Sequence, residues 1–303
     1  MPPDMSHIPA SSDTVLYDSG IFKRQDPSGS FSLPTPAAVR EEGVRQHGAR
    51  VEYNNRPPPV KYPSLGLIVK YGSLVSVAEA QCLAMIRKCL PSVPVPEVYG
   101  WQQDGPQGFV YMELVEGRTL EDCWNDLGED DKLAVCSELH DHVATWRRLP
   151  QALFSGDPFI GNITGEQLLD WVFVNTGSVG HGPFSSVAEF HDWFTTAYGP
   201  NRLPPWKAQS PHPYRSYLPD TLPIVFTHAD LHPSNIIIAP LQTNSHPRIA
   251  AVIDWQQSGW YPGYWEYCKS RWAWSAKAGH SWAEIYLPKI IGREVGRDPM
   301  QVC

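Results

Sequence analysis

The chain has 303 residues, 42% apolar and 18% charged, with 32 Asp and Glu against 24 Lys and Arg and a formal charge of −8. The length gives one large domain or two modest ones with enough chain to bury a core. The acid excess argues against a nucleic-acid partner, because reading a phosphate backbone needs clustered Lys and Arg.

No apolar run nears the ~20 residues that span a bilayer, and the polar start MPPDMSHIPA lacks a signal-peptide core. The six cysteines form no CxxC and are too sparse for a disulfide scaffold. The expectation is a soluble cytoplasmic protein with reduced thiols and no membrane partner.

In chain order, residues 1–63 hold many of the 30 prolines, including Pro57-Pro58-Pro59, and read as an irregular arm with one short helix near Ala37–His47. Leu65–Tyr71 (LGLIVKY) is an apolar run of strand length with one lysine, Lys70, inside it. Ser76-Val77-Ala78-Glu79 has capping-box spacing and opens a helix to about Leu90, with Val77, Ala80, Leu83 and Ile86 apolar. Val93–Pro96 must be extended, because proline disfavours helix in the residue before it. Gly108–Val115 (GFVYMELV) is a second strand, ending at Glu116-Gly117.

The pattern then turns helical. Asp130–Leu149 repeats apolar residues at Leu133, Cys136, Leu139, Val143 and Trp146, with acids in its first turn. Helices are expected at Thr164–Val174 and, with a second capping box from Ser186 to Glu189, at Ser186–Tyr198. Gly199–Leu222 is loop-rich, with Pro204, Pro205, Pro211, Pro213 and Pro219. A small mixed lobe followed by a larger helical lobe is the reading.

The densest set of reactive groups is Phe226–Asn235 (FTHADLHPSN), followed by the apolar run Ile236-Ile237-Ile238. A second run, Ile249–Ile253, ends at Asp254-Trp255 after the turn-prone Pro240–Arg248. If the runs pair as a hairpin, Asn235 and Asp254 sit side by side at its base. An amide oxygen beside a carboxylate suits Mg2+, a hard ion that takes few protein ligands together with phosphates. Asp230 lies on the loop entering that hairpin, within reach of an incoming hydroxyl.

His228-x-Asp230-x-x-x-x-Asn235 followed by Ile253-Asp254-Trp255 resembles the catalytic core of the aminoglycoside phosphotransferase and choline kinase-like family, small-molecule relatives of the protein kinases. Asp254–Tyr267 (DWQQSGWYPGYWEY) is similar to fungal members, and Lys70, Glu79 and Met112–Gly117 (MELVEG) fall in the order that family's small lobe requires. The resemblance runs from about Leu65 to Trp282. It implies an α+β, bilobal, protein-kinase-like fold, with a small mixed β/α N-lobe and a larger, mainly helical C-lobe. The divisions expected are an arm at 1–63, N-lobe at 64–112, hinge at 113–117 and C-lobe at 118–303.

The roles follow residue by residue from the same resemblance. Lys70 would hold the α- and β-phosphates of ATP, with Glu79 orienting it, and the backbone of Glu113, Leu114 and Val115 would bind adenine. Asn235 and Asp254 would hold Mg2+, Asp230 would accept the proton of a hydroxyl on a small-molecule acceptor, cationic acceptors included, and His228 would brace the loop. No G-x-G-x-x-G precedes Lys70, and neither D-F-G nor A-P-E is present, which disfavours a protein kinase.

Ala229 replaces the family's usual glycine, and Gln256 and Gly263 stand where acids are common. The chain stops at Cys303, where relatives often continue with more helix. Those departures motivate a rival, a non-catalytic nucleotide- or metabolite-binding scaffold. A remoter one is a metal-dependent hydrolase, because His228, Asp230 and His232 share a face if the segment is extended. Cys82 and Cys89 are expected in the core, Glu266 as an ammonium partner, and the aromatic tail (Trp255, Trp260, Tyr264, Trp265, Trp272, Trp274, Trp282) as core packing in preference to an aromatic acceptor pocket.

Overall fold

Alternation along one strand sets the small lobe. On β3 (Leu67–Gly72) the side chains of Leu67, Val69 and Tyr71 are buried in one apolar cluster, so the intervening Lys70 faces the opposite side. The neighbouring β5 (Gln107–Glu113) divides the same way, with Phe109 and Tyr111 on the first side and Val110 and Met112 on the second. Both faces of this sheet therefore need cover. On the Lys70 side it comes from α3 (Val77–Cys89), whose N-terminus is capped by Ser76 Oγ accepting from the Ala78 N–H at 3.2 Å.

Cover on the other side comes from the stretch read as an irregular arm. In this computed structural model, which describes residues 12–25, 31–151, 157–174, 181–197, 213–240, 246–272 and 281–292, α1 (Gly20–Gln25) and α2 (Pro36–His47) lay Ile21, Phe22 and Val39 on that face. The same stretch supplies both edge strands, β1 (Thr14–Val15) beside β4 (Val98–Asp104) and β2 (Val60–Tyr62) beside β3, giving the order β1-β4-β5-β3-β2. All of its ladders are antiparallel. The irregular-arm reading is corrected accordingly: strands of two and three residues are too short to show a period.

Beyond Glu113 the chain crosses to the second lobe. There β6 (Arg118–Thr119) pairs with β9 (Ile236–Ile238), which pairs in turn with β10 (Ile249–Val252), the hairpin expected from sequence. Gly117 takes φ +145° at this crossing, and a Cβ there would stand 2.2 Å from the Ile238 carbonyl oxygen. The long helix α5 (Glu129–Arg147), which follows the single turn α4 (Leu120–Cys123), buries Val135, Cys136, Leu139, Val143 and Trp146; Leu133, expected in the core, is exposed. A third sheet joins β7 (Gly161–Asn162), β11 (Gly259–Pro262) and β8 (Ile224–Thr227).

Of the helix expected at Thr164–Val174 only the turn α6 (Trp171–Val174) forms, whereas α7 (Val187–Ala197) and α8 (Trp265–Trp272) are regular. A π-helical turn at Trp282–Tyr286 leads into α9 (Leu287–Ile290), which packs on α5 through a 2.8 Å bond between His140 Nδ1 and the Ile290 carbonyl. Most of Gly199–Leu222, together with Trp274 and Cys303, lies outside the described residues. Cys82 is buried and Cys89 half-buried, neither in a disulfide, but Cys268 is disulfide-bonded, which corrects the expectation of six reduced thiols. No helix among the described residues is long and apolar enough to cross a membrane.

The crossing at Gly117 yields a prediction. Gly117→Ala should cost about 1–3 kcal/mol of stability, because a side chain there forces both the φ and the Ile238 carbonyl to shift. Urea denaturation measures it, and an unchanged midpoint contradicts the close approach.

Candidate active site

Lys70 is the hub of the contacts that join the lobes. Its ammonium lies 2.5 Å from Glu79 Oε1 on α3 and 2.9 Å from Asp254 Oδ1, just past β10. Glu79 is fully buried and is not the second half of a capping box; it spends its carboxylate on Lys70, and its Oε2 has no partner among the described residues. Burial works against the charge on Lys70, but the two carboxylates outweigh it and hold its pKa above the ordinary value. Burial raises the Glu79 pKa, with the Asp254 charge adding and Lys70 opposing. Burial pushes Asp254 up as well, yet Lys70 and Arg56 prevail and keep it well below the usual carboxylate range.

β8 delivers the loop that faces this trio. The His228 and Ala229 N–H groups donate to the two oxygens of Glu266 at 2.7 and 3.0 Å, and Glu266 is fully buried on α8. Ala229 sits at φ 62°, the left-handed region, so the loop keeps the glycine-type backbone with an alanine in it. Burial lifts Glu266 to about 7 despite the two N–H donors, and those contacts correct the expectation that it meets a ligand ammonium.

His228 is fully buried and bonded at both ring nitrogens: Nε2 meets the Ile253 carbonyl at 3.0 Å and Nδ1 meets the Asp230 N–H at 3.1 Å. Accepting from that N–H at Nδ1 places the proton on Nε2, and burial lowers the pKa to about 4, so the ring is neutral. Neither nitrogen is left for a metal, and no group of three or more His, Cys, Asp or Glu among the described residues forms a metal site. The hydrolase alternative on His228, Asp230 and His232 falls with that.

Asp230 follows directly. Burial raises its pKa, and Asp254 adds to the effect, while His232, Lys269 and Asn235 oppose it. Asn235 donates its amide N–H to the Asp230 carbonyl at 2.9 Å and to its Oδ2 at 3.2 Å, which turns the amide oxygen away from Asp230. The Ile253 N–H donates to the Asn235 carbonyl at 2.9 Å, so Asp254 is the residue after Asn235's partner across the hairpin. One amide oxygen and one carboxylate, with few other oxygen donors, fit Mg2+ completed by phosphates. Gln256 is buried and donates to the Leu74 carbonyl at 2.7 Å, tying the turn after β10 to the turn after β3; its Oε1 has no partner among the described residues.

The residues expected to form the hinge are partly occupied. The Glu113 N–H donates to the Glu97 carbonyl and the Leu114 N–H to the Gly66 carbonyl, at 2.8 and 2.9 Å, leaving the Val115 N–H unbonded among the described residues. Sequence reasoning missed Arg56, which donates to both oxygens of Asp254 at 2.8 and 3.0 Å. It also missed Lys269, bonded to Asp170 Oδ1 at 2.6 Å and to Gln257 Oε1 at 3.1 Å beside the loop. Lys269 lies one helical turn from Glu266, which was the only available signal. Trp255, Trp260, Tyr264, Trp265 and Trp282 are all buried, so they pack the core and do not line a pocket.

This geometry meets independent comparisons. The family model described as "Phosphotransferase enzyme family" matches residues 76–297, and the chain belongs to that family. The fold is α+β, bilobal and protein-kinase-like. A thermostable mutant of aminoglycoside phosphotransferase APH(4)-Ia in its apo form is 15% identical at a TM-score of 0.51, covering 80% of this chain and 77% of that one. Aminoglycoside-3'-phosphotransferase of type VIII is 16% identical at 0.48, covering 87% and 96%. Aminoglycoside phosphotransferase APH(3'')-Id from Streptomyces rimosus is 17% identical at 0.46, covering 88% and 94%. A search of curated proteins finds no match.

The Glu266 contacts yield a second prediction. Glu266→Gln places an amide N–H against one of two backbone donors and should cost about 1–3 kcal/mol, with faster hydrogen exchange at His228 and Ala229. Unchanged protection at both amides contradicts the brace.

Proposed function

We propose that this phosphotransferase moves the γ-phosphate of Mg·ATP to a hydroxyl of a small molecule. The observation that carries the reading is the Lys70 ammonium shared by Glu79 and Asp254 at 2.5 and 2.9 Å, with Asp230 on the adjoining loop. Lys70 holds the α- and β-phosphates, Glu79 fixes its position, and the Val115 N–H with its hinge neighbours Glu113 and Leu114 receives adenine. Asn235 and Asp254 would hold Mg2+, which would neutralise phosphate charge.

Asp230 accepts the proton as the acceptor oxygen forms its bond to the γ-phosphorus and the bond to the ADP oxygen breaks. A carboxylate with a raised pKa is a stronger base, which suits that task. His228 takes no proton; it holds the Asp230 N–H and the Ile253 carbonyl, fixing the loop to the metal-holding hairpin. Aminoglycosides, amino alcohols and other hydroxylated metabolites are the acceptors to try, since the relatives' names give only a class.

Asp230→Asn should lower phosphorylation about 10²–10⁴-fold in an ATP-turnover assay across that panel, while nucleotide binding persists. Because the ionised form of Asp230 is the active one and its pKa is raised, activity should fall on acidification at a pH above the ordinary carboxylate value of 3.8. Wild-type rates in Asp230→Asn overturn the role. Stabilisation by ATP with no Mg2+ dependence and no turnover replaces the enzyme with the scaffold.

A further inference from the structure

Arg56 reaches from the small lobe to the large one. It belongs to the segment entering β2, yet its guanidinium donates to both oxygens of Asp254 at 2.8 and 3.0 Å and lies 5.4 Å from the centroid of the Trp171 ring. The residue before it, Asn55, is pinned to the turn that follows the Lys70 strand. The Arg56 N–H donates to Asn54 Oδ1 at 2.9 Å, the Leu74 N–H to the Asn55 carbonyl at 3.0 Å, and the Ser73 hydroxyl to Asn55 Oδ1 at 3.0 Å. Gly72, at φ +135°, allows the approach, because a Cβ there would stand 2.4 Å from the Asn55 carbonyl oxygen.

A strap in this place lies over the nucleotide's phosphates if the phosphotransferase reading, on which this inference rests, is right. Loops that cradle phosphates usually do so with backbone N–H groups. Pro57, Pro58 and Pro59 have none to give. What the strap does offer is a guanidinium, with five donors in a planar fork that matches phosphate oxygens. On Asp254 that cation occupies the carboxylate that would hold the metal, so the two cations would compete for it. The terminal phosphates bring negative charge to the same spot.

We propose that Arg56 is a phosphate-binding residue of the small lobe, resting on Asp254 without nucleotide and turning to the β- and γ-phosphates when Mg·ATP enters. Trp171 gives the guanidinium a surface to lie against in either position.

Binding of a non-hydrolysable ATP analogue with Mg2+, and of AMP, is measured by calorimetry for wild type, Arg56→Ala and Arg56→Lys. Arg56→Ala should bind the analogue about tenfold more weakly, the loss of a charge-assisted contact, with AMP affinity unchanged. Arg56→Lys, which keeps the charge and loses the fork, should fall between. Without nucleotide, Mn2+ followed by electron paramagnetic resonance should bind Arg56→Ala more tightly than wild type, because Asp254 is released. Unchanged or tighter analogue binding by Arg56→Ala overturns the proposal, leaving at most a plug on Asp254. An equal loss for AMP overturns it too, since that marks a general distortion of the cleft. Wild type that binds neither ligand overturns the phosphotransferase reading itself, whereas wild type that binds both beside an unaffected Arg56→Ala overturns only this inference.

Discussion

The ammonium of Lys70, held between Glu79 and Asp254, is the interaction on which the rest of the site depends. It takes one residue from the small lobe's sheet, one from its helix and one from the large lobe's hairpin, so it sets the distance between the lobes as well as the local charge. A buried carboxylate such as Glu79 is tolerated only with its countercharge, since losing one partner of a buried pair costs several kcal/mol. Asp254 is satisfied by two cations, Lys70 and Arg56. That balance is poised, because a metal ion and a polyphosphate would compete for both sides of it.

Around that hub the large lobe stores strain and restrains it. Ala229 and Asp254 both hold left-handed backbone conformations at non-glycine residues, each a cost of roughly 1–2 kcal/mol. At Ala229 the restraint is Glu266, which grips two successive N–H groups from beneath. His228 adds a second, clamping the loop to the end of β10 through the Ile253 carbonyl. The result is that the backbone leading to Asp230 is held by hydrogen bonds on both sides, the kind of restraint that phosphoryl transfer, which asks mainly for positioning, would need.

How much of this was legible depended on whether a residue's partner was close in sequence. The helices α3 and α5 are readable from their periods, and the strands β3 and β5 and the hairpin of β9 and β10 from apolar runs of strand length. β1 and β2 are not, because edge strands so short exist only through the neighbours they pair with, and β4 (VYGWQQD) is a strand where no element is expected from sequence. Glu79 satisfied two patterns at once, and only burial against Lys70 decided between capping and ion pairing. Leu133 fitted the helical period yet lies at its exposed margin. Of the candidate-site groups, Lys70, Asp230, Asn235 and Asp254 are proposed from spacing and resemblance. Glu266 was named with the wrong partner, and Arg56 was invisible, since nothing local links an arginine before three prolines to a carboxylate in the other lobe.

The most direct measurement is a crystal structure of the protein with Mg2+ and a non-hydrolysable ATP analogue. The account predicts the metal on the Asn235 amide oxygen and the Asp254 carboxylate, with Lys70 still bound to Glu79 but turned from Asp254 to the α- and β-phosphates. A metal bound elsewhere, or a Lys70 that keeps Asp254 while the phosphates lie outside the cleft, contradicts it.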